Sequence, residues 1–270
     1  MQLNATTPAN QRIVFVINSL EGGGAERVLS ILLDQLAQSL PNADLYLILL
    51  DQATERYSIP PQINKITLDC RGSMPRSMLQ LWQTLRRIAP DVVMSFLNRA
   101  NCANIIAARL LGYRCVVSER VNTSSHFGNG LKARLNKAVV RWLYPLADQV
   151  LVVSKGVGAE LERNFGVPAQ RLQVIYNPYD LPKLAALAAE TPALQIDGDY
   201  IVSVGRLVPN KNFSLLIKAY QQAGLQEKLV ILGEGPEQAA LQQLIADLQL
   251  ESRVILAGFL DNPYPIMSKP

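Results

Sequence analysis

The segment Gly22-Gly23-Gly24-Ala25-Glu26-Arg27 follows a short apolar run at residues 13–17 and begins a longer amphipathic run. The segment Gly205-Arg206-Leu207-Val208-Pro209-Asn210-Lys211-Asn212 repeats this arrangement after the apolar run at residues 200–204. A strand, a glycine turn and a helix N-terminus together direct backbone N–H groups and the positive end of the helix dipole toward one point. The two segments therefore predict an α/β chain with two anion sites, one for each of two phosphate-bearing ligands.

The composition is typical of a folded protein with large cores. Apolar residues make up 49% and charged residues 18% of the 270 positions. This is too apolar for a disordered chain and favours sheets covered on both faces. No apolar run reaches the roughly 18 residues that a membrane-spanning helix needs, and the first ten residues do not resemble a secretory signal. We therefore expect a cytoplasmic protein with one large or two smaller domains.

The net charge of +4 is unevenly distributed along the chain. Residues 1–180 carry 19 Lys and Arg against 13 Asp and Glu, whereas residues 181–270 carry 7 against 9. The first part is thus the better candidate for an anionic surface or substrate. Three cysteines without CxxC spacing argue against a disulfide framework or a zinc site. We expect buried, reduced thiols at Cys70, Cys102 and Cys115.

Apolar and amphipathic runs alternate along the chain, which is typical of a parallel sheet between two helix layers. The predicted strands of the first part are 12–18, 45–50, 65–69, 91–95, 115–118, 149–153 and 172–176. Its predicted helices are 25–39, 76–89, 101–111, 131–146 and 155–165. The alternation restarts later, with strands at 200–204, 228–232 and 253–256 and helices at 213–222 and 236–248.

The chain is predicted to divide at a segment rich in turn residues. Proline and glycine concentrate at residues 177–199 around a piece rich in alanine and leucine, which is typical of a linker or hinge. We therefore predict a Rossmann-like domain at 1–180, a linker at 181–199 and a second Rossmann-like domain at 200–270. The second domain is incomplete on this interpretation, because a doubly wound domain normally has several more strands and helices.

The first glycine turn fits neither common phosphate-binding fingerprint. In a dinucleotide fingerprint beginning at Gly22, the third glycine position is Arg27, and only Asp51 stands near the expected acidic position. The Gly-Lys-Ser/Thr of a P-loop is absent from the sequence. A glycine-lined helix start remains, where a ligand can approach the backbone and Arg27 can hold a phosphate. The alternative is a turn whose glycines serve only backbone geometry.

Two cations distinguish the second glycine turn. Arg206 follows Gly205 at the strand end, and Lys211 lies at the start of the next helix, so both can reach one point beyond the carboxyl edge of the sheet. This spacing suits a diphosphate, and the alternative is a pair of surface cations that serve solubility. A third turn, Gly233-Glu234-Gly235-Pro236-Glu237, follows the next strand and either lines the same site or is a plain tight turn.

The loop after the strand at 115–118 holds the candidates for acid–base chemistry. It begins with Glu119 and contains His126, the single histidine of the chain. A loop at the carboxyl end of a strand is a common position for a general acid or base, and imidazole titrates near neutral pH. The alternative is an incidental histidine.

The run at residues 131–146 predicts a basic amphipathic helix with a tryptophan at one end. Such a helix can lie on an anionic membrane surface, and the alternative is a helix packed on the sheet with its cations reaching toward solvent. The cations are Lys132, Arg134, Lys137 and Arg141, interleaved with Leu135, Val139, Trp142 and Leu143.

These segments together resemble glycosyltransferase family 4, whose members are retaining enzymes of the GT-B architecture with two Rossmann-like domains facing a cleft. The stretch at residues 18–27 is similar to the acceptor-side loop of bacterial members that build polysaccharides or lipid-linked oligosaccharides. The resemblance spans nearly the whole chain. It is carried further by Ser118-Glu119-Arg120, Val152-Val153-Ser154, Val174-Ile175-Tyr176-Asn177-Pro178, Val204-Gly205-Arg206-Leu207 with Lys211-Asn212, and Leu232-Gly233-Glu234-Gly235-Pro236.

The resemblance implies a role for each candidate residue. The diphosphate of a UDP-sugar would bind at Gly205, Arg206, Lys211, Gly233 and Glu234. The acceptor, or the donor phosphate, would meet Gly22, Gly23, Gly24, Glu26 and Arg27. The candidates for catalysis are His126, Glu119 and, from the same motif, Arg120. The family scheme is metal-independent, so we expect neither a metal nor a cofactor, and positioned cations would stabilise the leaving diphosphate.

In family members a Glu-rich segment follows the region of Gly258-Phe259, and two of its glutamates hold the donor sugar and ribose. This sequence ends at Pro270 without that segment. We therefore expect a C-terminally truncated polypeptide with little or no transferase activity by itself.

The sequence thus predicts a hexosyltransferase that moves a sugar from a UDP-sugar to a lipid-linked or polysaccharide acceptor. We expect it in the cytoplasm, in peripheral contact with an anionic membrane and without a nucleic-acid partner. Two alternatives remain: a GT-B-like UDP-sugar 2-epimerase, and a non-catalytic remnant that binds a glycan or lipid carrier. The broken fingerprint disfavours an NAD dehydrogenase.

Overall fold

The computed structural model describes residues 11–121, 123 and 130–269. These residues belong to two compact units, Met1–Pro178 and Tyr179–Pro270. The candidate His126 lies outside the described residues.

Within the described ranges the first unit contains a seven-stranded sheet and five α-helices. The strands are β1 (Arg12–Ile17), β2 (Asp44–Leu49), β3 (Asn64–Thr67), β4 (Val92–Phe96), β5 (Arg114–Glu119), β6 (Gln149–Val152) and β7 (Leu172–Val174). The helices are α1 (Gly24–Ser39), α2 (Met74–Ile88), α3 (Asn98–Leu111), α4 (Leu131–Leu143) and α5 (Lys155–Phe165). The strand order is β3-β2-β1-β4-β5-β6-β7, and the described strand pairs are parallel.

Strand β1 shows why its sequence is an uninterrupted apolar run. Side chains on a strand alternate between the two faces of the sheet, and both faces are covered here. Val14 and Val16 pack in one core with leucines of α2 and alanines of α3. Phe15 and Ile17 pack in the other core with leucines of α1. Strand β1 pairs with β2 on one side and with β4 on the other, so the strand order reverses between β1 and β4.

The second unit contains a smaller parallel sheet, in the order β10-β9-β8. Its strands are β8 (Tyr200–Val204), β9 (Lys228–Leu232) and β10 (Val254–Gly258). Its helices are α6 (Leu181–Ala188), α7 (Phe213–Ala223), α8 (Gln238–Asp247) and α9 (Tyr264–Met267). One face packs against Ile217 of α7 and Leu241 of α8, and the other packs against Ile266 of α9. The predicted α/β class is confirmed in both units.

The segment at 181–199, predicted to be a linker, instead belongs to the second unit. It begins with α6, and the side chain of Asn262 donates hydrogen bonds to the Leu187 carbonyl and the Glu190 carboxylate, each at 2.8 Å. Leu194 and Ile196 pack beside the second sheet. The proline that suggested a linker, Pro182, lies in the first turn of α6, where proline needs no N–H partner.

Candidate functional site

A cavity of about 320 Å³ lies at the carboxyl ends of β1, β4 and β5. This is the point where the strand order reverses, and open α/β sheets bind ligands at such points. We call it the switch-point cavity. It is lined by Asn18, Leu97, Asn98, Arg99, Glu119, Val121 and Thr123.

The backbone at the edge of this cavity is strained at one residue. Leu97 has φ 72° and ψ 148°. Residues other than glycine rarely adopt this backbone conformation, and holding one there costs about 1–3 kcal/mol. It occupies the N-cap position of α3, yet its side chain supplies no capping hydrogen bond. The strained backbone and the uncapped helix start therefore coincide at Leu97, which lines the cavity. Strained residues of this kind cluster at ligand sites.

Two buried polar atoms of lining residues have no hydrogen-bond partner among the described residues. They are Asn18 Oδ1 and Thr123 Oγ1. Thr123 is 2% exposed, and its backbone N–H donates to Glu160 Oε2 at 3.1 Å. A buried polar atom without a partner costs roughly 1–3 kcal/mol.

Arg99 is already neutralised by an aspartate. One of its guanidinium nitrogens donates to Asp51 Oδ1 at 3.2 Å and to Ser77 Oγ at 2.9 Å, and the other forms an ion pair with Asp51. The backbone N–H of Gly72 also donates to Asp51 Oδ1, at 3.0 Å. Asp51 is the acidic residue considered for a ribose contact in a dinucleotide site. In the structure, its carboxylate forms an ion pair with Arg99 instead.

Glu119 is buried and held on both carboxylate oxygens. Oε2 accepts a hydrogen bond from the Tyr144 hydroxyl at 2.7 Å, and Oε1 accepts from the backbone N–H groups of Arg120 and Val121 at 3.0 and 3.3 Å. Burial raises the pKa of this carboxyl above its ordinary value of 4.5, although those hydrogen bonds act in the opposite direction. This arrangement fixes the start of the loop after β5, a positioning role that accounts for Glu119 without catalysis.

Arg120 lies between this loop and two other segments. Its guanidinium donates to the side-chain oxygen of Asn177. Burial lowers the pKa of Arg120, whereas the nearby carboxylates of Glu119 and Glu26 raise it.

The first glycine turn is exposed, and its helix start already faces a carboxylate. Glu26 folds back so that its side chain lies against Gly23, the N-cap residue of α1. A glutamate at this helical position typically complements the N-terminal N–H groups. Gly22 has φ 120°, where glycine is favoured, and a Cβ on Gly24 would meet open space. An incoming phosphate would therefore have to displace the carboxylate of Glu26.

In the second unit, three loops after β8, β9 and β10 are joined by backbone hydrogen bonds. The Gly205 N–H donates to the Leu232 carbonyl, and the Leu207 N–H donates to the Glu234 carbonyl, each at 2.9 Å. The Gly233 N–H donates to the Gly258 carbonyl at 2.7 Å. These bonds hold the predicted second and third glycine turns side by side at the carboxyl edge of the sheet.

Glycine is required where these loops touch. A Cβ on Gly233 or Gly235 would overlap the backbone of Gly205 or Leu207, respectively, and Gly233 also has φ 142°. The third turn is therefore more than a plain tight turn, since its glycines allow the neighbouring loop to approach. Glu234 adds a side-chain contact, because its carboxylate accepts from the Phe259 N–H at 3.4 Å.

Arg206 and Lys211 are exposed on these joined loops. A Cβ on Gly205 would lie 3.8 Å from Lys211 Cδ, so the lysine stem passes beside the glycine that precedes Arg206. Neither cation forms an ion pair within the described ranges. The structure thus brings Gly205, Arg206, Lys211, Gly233 and Glu234 to one edge of the sheet.

The sequence also contains two closely spaced aspartates, in Asp197-Gly198-Asp199. Both aspartates precede Tyr200, the first residue of β8. They lie at the amino end of that strand, whereas the joined loops leave the carboxyl ends. Asp197-Gly198-Asp199 is therefore separate from the cation pair.

The two units match two family models. Residues 22–183 match the model described as Glycosyltransferase Family 4, and residues 189–268 match Glycosyl transferases group 1. The chain belongs to glycosyltransferase family 4. The resemblance inferred from the glycine turns is confirmed.

Two relatives and one solved structure place this family 4 glycosyltransferase among characterised proteins. It is 36% identical over 273 residues to the N-acetylgalactosamine-N,N'-diacetylbacillosaminyl-diphospho-undecaprenol 4-alpha-N-acetylgalactosaminyltransferase of Campylobacter jejuni, an alignment that covers 96% of this chain and 72% of that protein. A second C. jejuni relative, the GalNAc-alpha-(1->4)-GalNAc-alpha-(1->3)-diNAcBac-PP-undecaprenol alpha-1,4-N-acetyl-D-galactosaminyltransferase, is 24% identical, with 96% of this chain and 70% of that protein aligned. Anabaena Alr3699/HepE in complex with UDP and glucose matches with a TM-score of 0.70 and 23% identity, over 96% of this chain and 72% of that chain. The last match shows the GT-B fold.

Sequence reasoning located the cation pair and, among the residues that line the switch-point cavity, Glu119, but it assigned no role to the others. Asn18 begins the stretch at 18–27 that resembles the acceptor-side loop but was given no role of its own, and Leu97 belongs to no motif. The signal that could have revealed them is position, because each directly follows the end of a strand next to the reversal of strand order. The roles of the predicted site residues remain predictions.

The buried carboxyl of Glu119 predicts a pH-dependent effect of Glu119→Gln. The unfolded chain ionises this group near its ordinary pKa, whereas the folded chain ionises it at higher pH. The wild-type protein therefore loses stability as the pH rises through that interval, by about 1.4 kcal/mol for each unit of difference in pKa. Relative to Glu119→Gln, the urea unfolding midpoint of the wild type should fall as the pH rises above the ordinary carboxyl pKa of 4.5.

The exposed Glu162→Gln variant is the matched control. The measured quantity is the unfolding midpoint of the wild type minus that of Glu119→Gln. If this difference stays constant or increases as the pH rises, the result contradicts a raised pKa at Glu119.

Proposed function

We propose that this family 4 glycosyltransferase moves a hexose or hexosamine from a UDP-sugar to a lipid-linked oligosaccharide or growing polysaccharide during cell-surface glycan synthesis. The observation that carries the proposal is the pair of exposed cations, Arg206 and Lys211, on the joined loops of the second unit. The C. jejuni relatives are named as transferases acting on undecaprenol-linked sugars, which supports the acceptor class. UDP in the Alr3699/HepE structure supports the donor class.

The proposed chemistry at the second unit is stabilisation of the departing diphosphate. Negative charge accumulates on the leaving group as the bond to the sugar breaks, and fixed cations stabilise that charge. Arg206 offers a planar fork that can donate two hydrogen bonds to one phosphate, while Lys211 acts as a compact charge. The backbone bonds at Gly205, Leu207 and Gly233 keep their loops in place before the donor arrives, so little reorganisation is needed.

The proposed acceptor site lies in the first unit. The switch-point cavity and the exposed glycine turn at 22–24 both follow strands at the carboxyl edge of the larger sheet. Glu119 and Arg120 would shape this site through the contacts that they make with Tyr144 and Asn177. A direct catalytic role for either residue, and for His126, is not needed by the proposal.

The alternative of a UDP-sugar 2-epimerase is not favoured. An epimerase would use a similar diphosphate site but no acceptor. Two relatives that align with 96% of this chain are named as transferases that act on undecaprenol-linked sugars. A non-catalytic remnant is likewise disfavoured by the intact cation pair.

The decisive assay measures transfer of radiolabelled sugar to undecaprenol-linked acceptor by protein expressed from the complete reading frame. We expect label in the lipid fraction with at least one UDP-sugar. Arg206→Ala and Lys211→Ala should each lower kcat/KM by about 10²–10³, the usual cost of removing one group that stabilises a charged transition state.

The exposed Lys218→Ala on α7 is the matched control and should retain full activity. Release of an epimerised nucleotide sugar without an acceptor would support the epimerase instead. Failure to incorporate any common UDP-sugar would refute the proposed transferase.

We also propose that helix α4 rests on an anionic membrane. Leu131, Leu135 and Trp142 are 85%, 64% and 78% exposed, and they share one stripe of the helix with exposed Arg134 and Arg141. Large apolar groups beside cations match the boundary between lipid head groups and acyl chains. None of the helices in the described ranges has the length and apolar character needed to span a bilayer. The proposed contact is therefore peripheral.

Vesicle sedimentation tests this contact. Binding to vesicles containing one third phosphatidylglycerol should exceed binding to pure phosphatidylcholine. Each surface cation contributes about 1 kcal/mol, so the double variant Arg134→Gln, Arg141→Gln should bind about 30-fold more weakly. Trp142→Ala should also weaken binding, whereas Leu79→Ala, at a 55% exposed leucine on α2, should not. Equal binding of all variants would contradict the assignment to α4.

A further inference from the structure

A second cavity lies at the opposite edge of the larger sheet, at the amino ends of β5 and β6. Its volume is about 420 Å³, within the range of roughly 300–1,000 Å³ for ligand pockets. We call it the amino-edge cavity. The C-terminal end of α3, the start of β5 and the turn that follows α4 form its walls. Its lining residues are Ala108, Arg109, Gly112, Tyr113, Arg114, Cys115, Leu146 and Asp148.

Two arginines line this cavity. Arg109 belongs to the last turn of α3, and Arg114 is the first residue of β5. Both are exposed, and neither guanidinium forms an ion pair or a hydrogen bond within the described ranges. An arginine can donate two parallel hydrogen bonds to one phosphate. Two such groups on one small cavity therefore favour an anionic ligand.

The negative charges around this cavity are smaller than the positive ones. Asp148 lines it, and Asp148 Oδ2 accepts a hydrogen bond from the backbone N–H of Cys115 at 2.7 Å. The carbonyl end of α3 adds about half of a negative elementary charge. The thiol of Cys115 adds none at neutral pH, because burial raises its pKa to about 12. The two guanidinium charges outweigh these contributions, so the cavity keeps a net positive charge.

Exposed apolar side chains surround the positive cavity. Leu146, which lines it, is 42% exposed, and Leu110, next to Arg109 on α3, is 66% exposed. The exposed Trp142 precedes the turn that carries Leu146. Apolar groups around a basic site match a phospholipid, whose phosphate is attached to a hydrocarbon portion. A soluble phosphate ion would leave these apolar side chains uncovered.

We infer that the amino-edge cavity binds the phosphate group of an anionic phospholipid. Arg109 and Arg114 donate hydrogen bonds to the phosphate oxygens, and Leu146 contacts the glycerol and the nearest acyl methylene groups. This lipid is not the sugar acceptor, because the cavity lies at the edge opposite the switch-point cavity. The assignment to a membrane lipid rests on the proposed contact of α4 with a membrane, whereas binding of a phosphate group by the two arginines does not.

NMR titration of the full chain with dihexanoylphosphatidylglycerol tests this inference. Below its micelle concentration this lipid presents a head group without a membrane surface. Its dissociation constant should be about fivefold lower than that of dihexanoylphosphatidylcholine, because the choline cation opposes the two arginines. Arg114→Lys keeps the charge but loses the planar fork, so it should weaken binding about five- to tenfold. Leu146→Ala should weaken binding of the lipid but not of inorganic phosphate.

The exposed Arg87→Lys variant on α2 is the matched control and should bind like the wild type. Arg114→Lys should keep the wild-type unfolding midpoint, since the guanidinium has no partner in the described structure. No binding of the phosphatidylglycerol, equal affinity for the two lipids, or unchanged affinity in Arg114→Lys would overturn the inference. Inorganic phosphate that binds as tightly as the phosphatidylglycerol would overturn the assignment to a lipid.

The two lipid proposals fail separately. Vesicle binding that depends on Trp142, without binding of the monomeric lipid, would refute the inference about the amino-edge cavity alone. Binding of the monomeric lipid that is weakened in Arg114→Lys, without vesicle binding, would refute the proposed membrane contact of α4 alone.

Discussion

Parallel strand pairing is the constraint on which the rest of the structure depends. Because neighbouring strands run in the same direction, the loops that follow them meet at one edge of each sheet. Asn18, Leu97 and Glu119 thereby become neighbours although about 100 residues separate the first from the last. Arg206 and Glu234 are brought to one edge in the same way. A reversed strand would carry its loop to the opposite edge and dismantle the corresponding site.

The carboxyl edges of the two sheets differ in charge. The charged groups of the first unit are paired or hydrogen-bonded, whereas the second unit exposes two cations. In the first unit, Arg99 is paired with Asp51, the carboxylate of Glu26 faces the start of α1, and Glu119 is enclosed by hydrogen bonds. In the second unit, Arg206 and Lys211 are exposed on loops held by backbone bonds. A neutral sugar suits the first arrangement, and a diphosphate suits the second. This contrast is the physical basis for assigning acceptor and donor to different units.

Much of this architecture could be predicted from the sequence because its causes are local. Apolar strand runs, amphipathic helices and the glycines at 22–24 and 233–235 are properties of short segments. The segment at 181–199 was predicted as a linker from its prolines and glycine, but Pro182 lies at a helix start, where it needs no N–H partner. The unpartnered atoms at Asn18 and Thr123, and the carboxylate of Glu26 at Gly23, depend on which side chains meet in space. No single segment of the sequence contains that information.

Amide hydrogen exchange is the most direct test of the division between donor and acceptor units. Saturating UDP should slow exchange at residues 205–212 and 233–237 and leave residues 97–99 and 119–121 unchanged. A water-soluble analogue of a lipid-linked sugar acceptor should do the reverse. Protection of the first unit alone by UDP, or of the second unit alone by the acceptor analogue, would contradict the account.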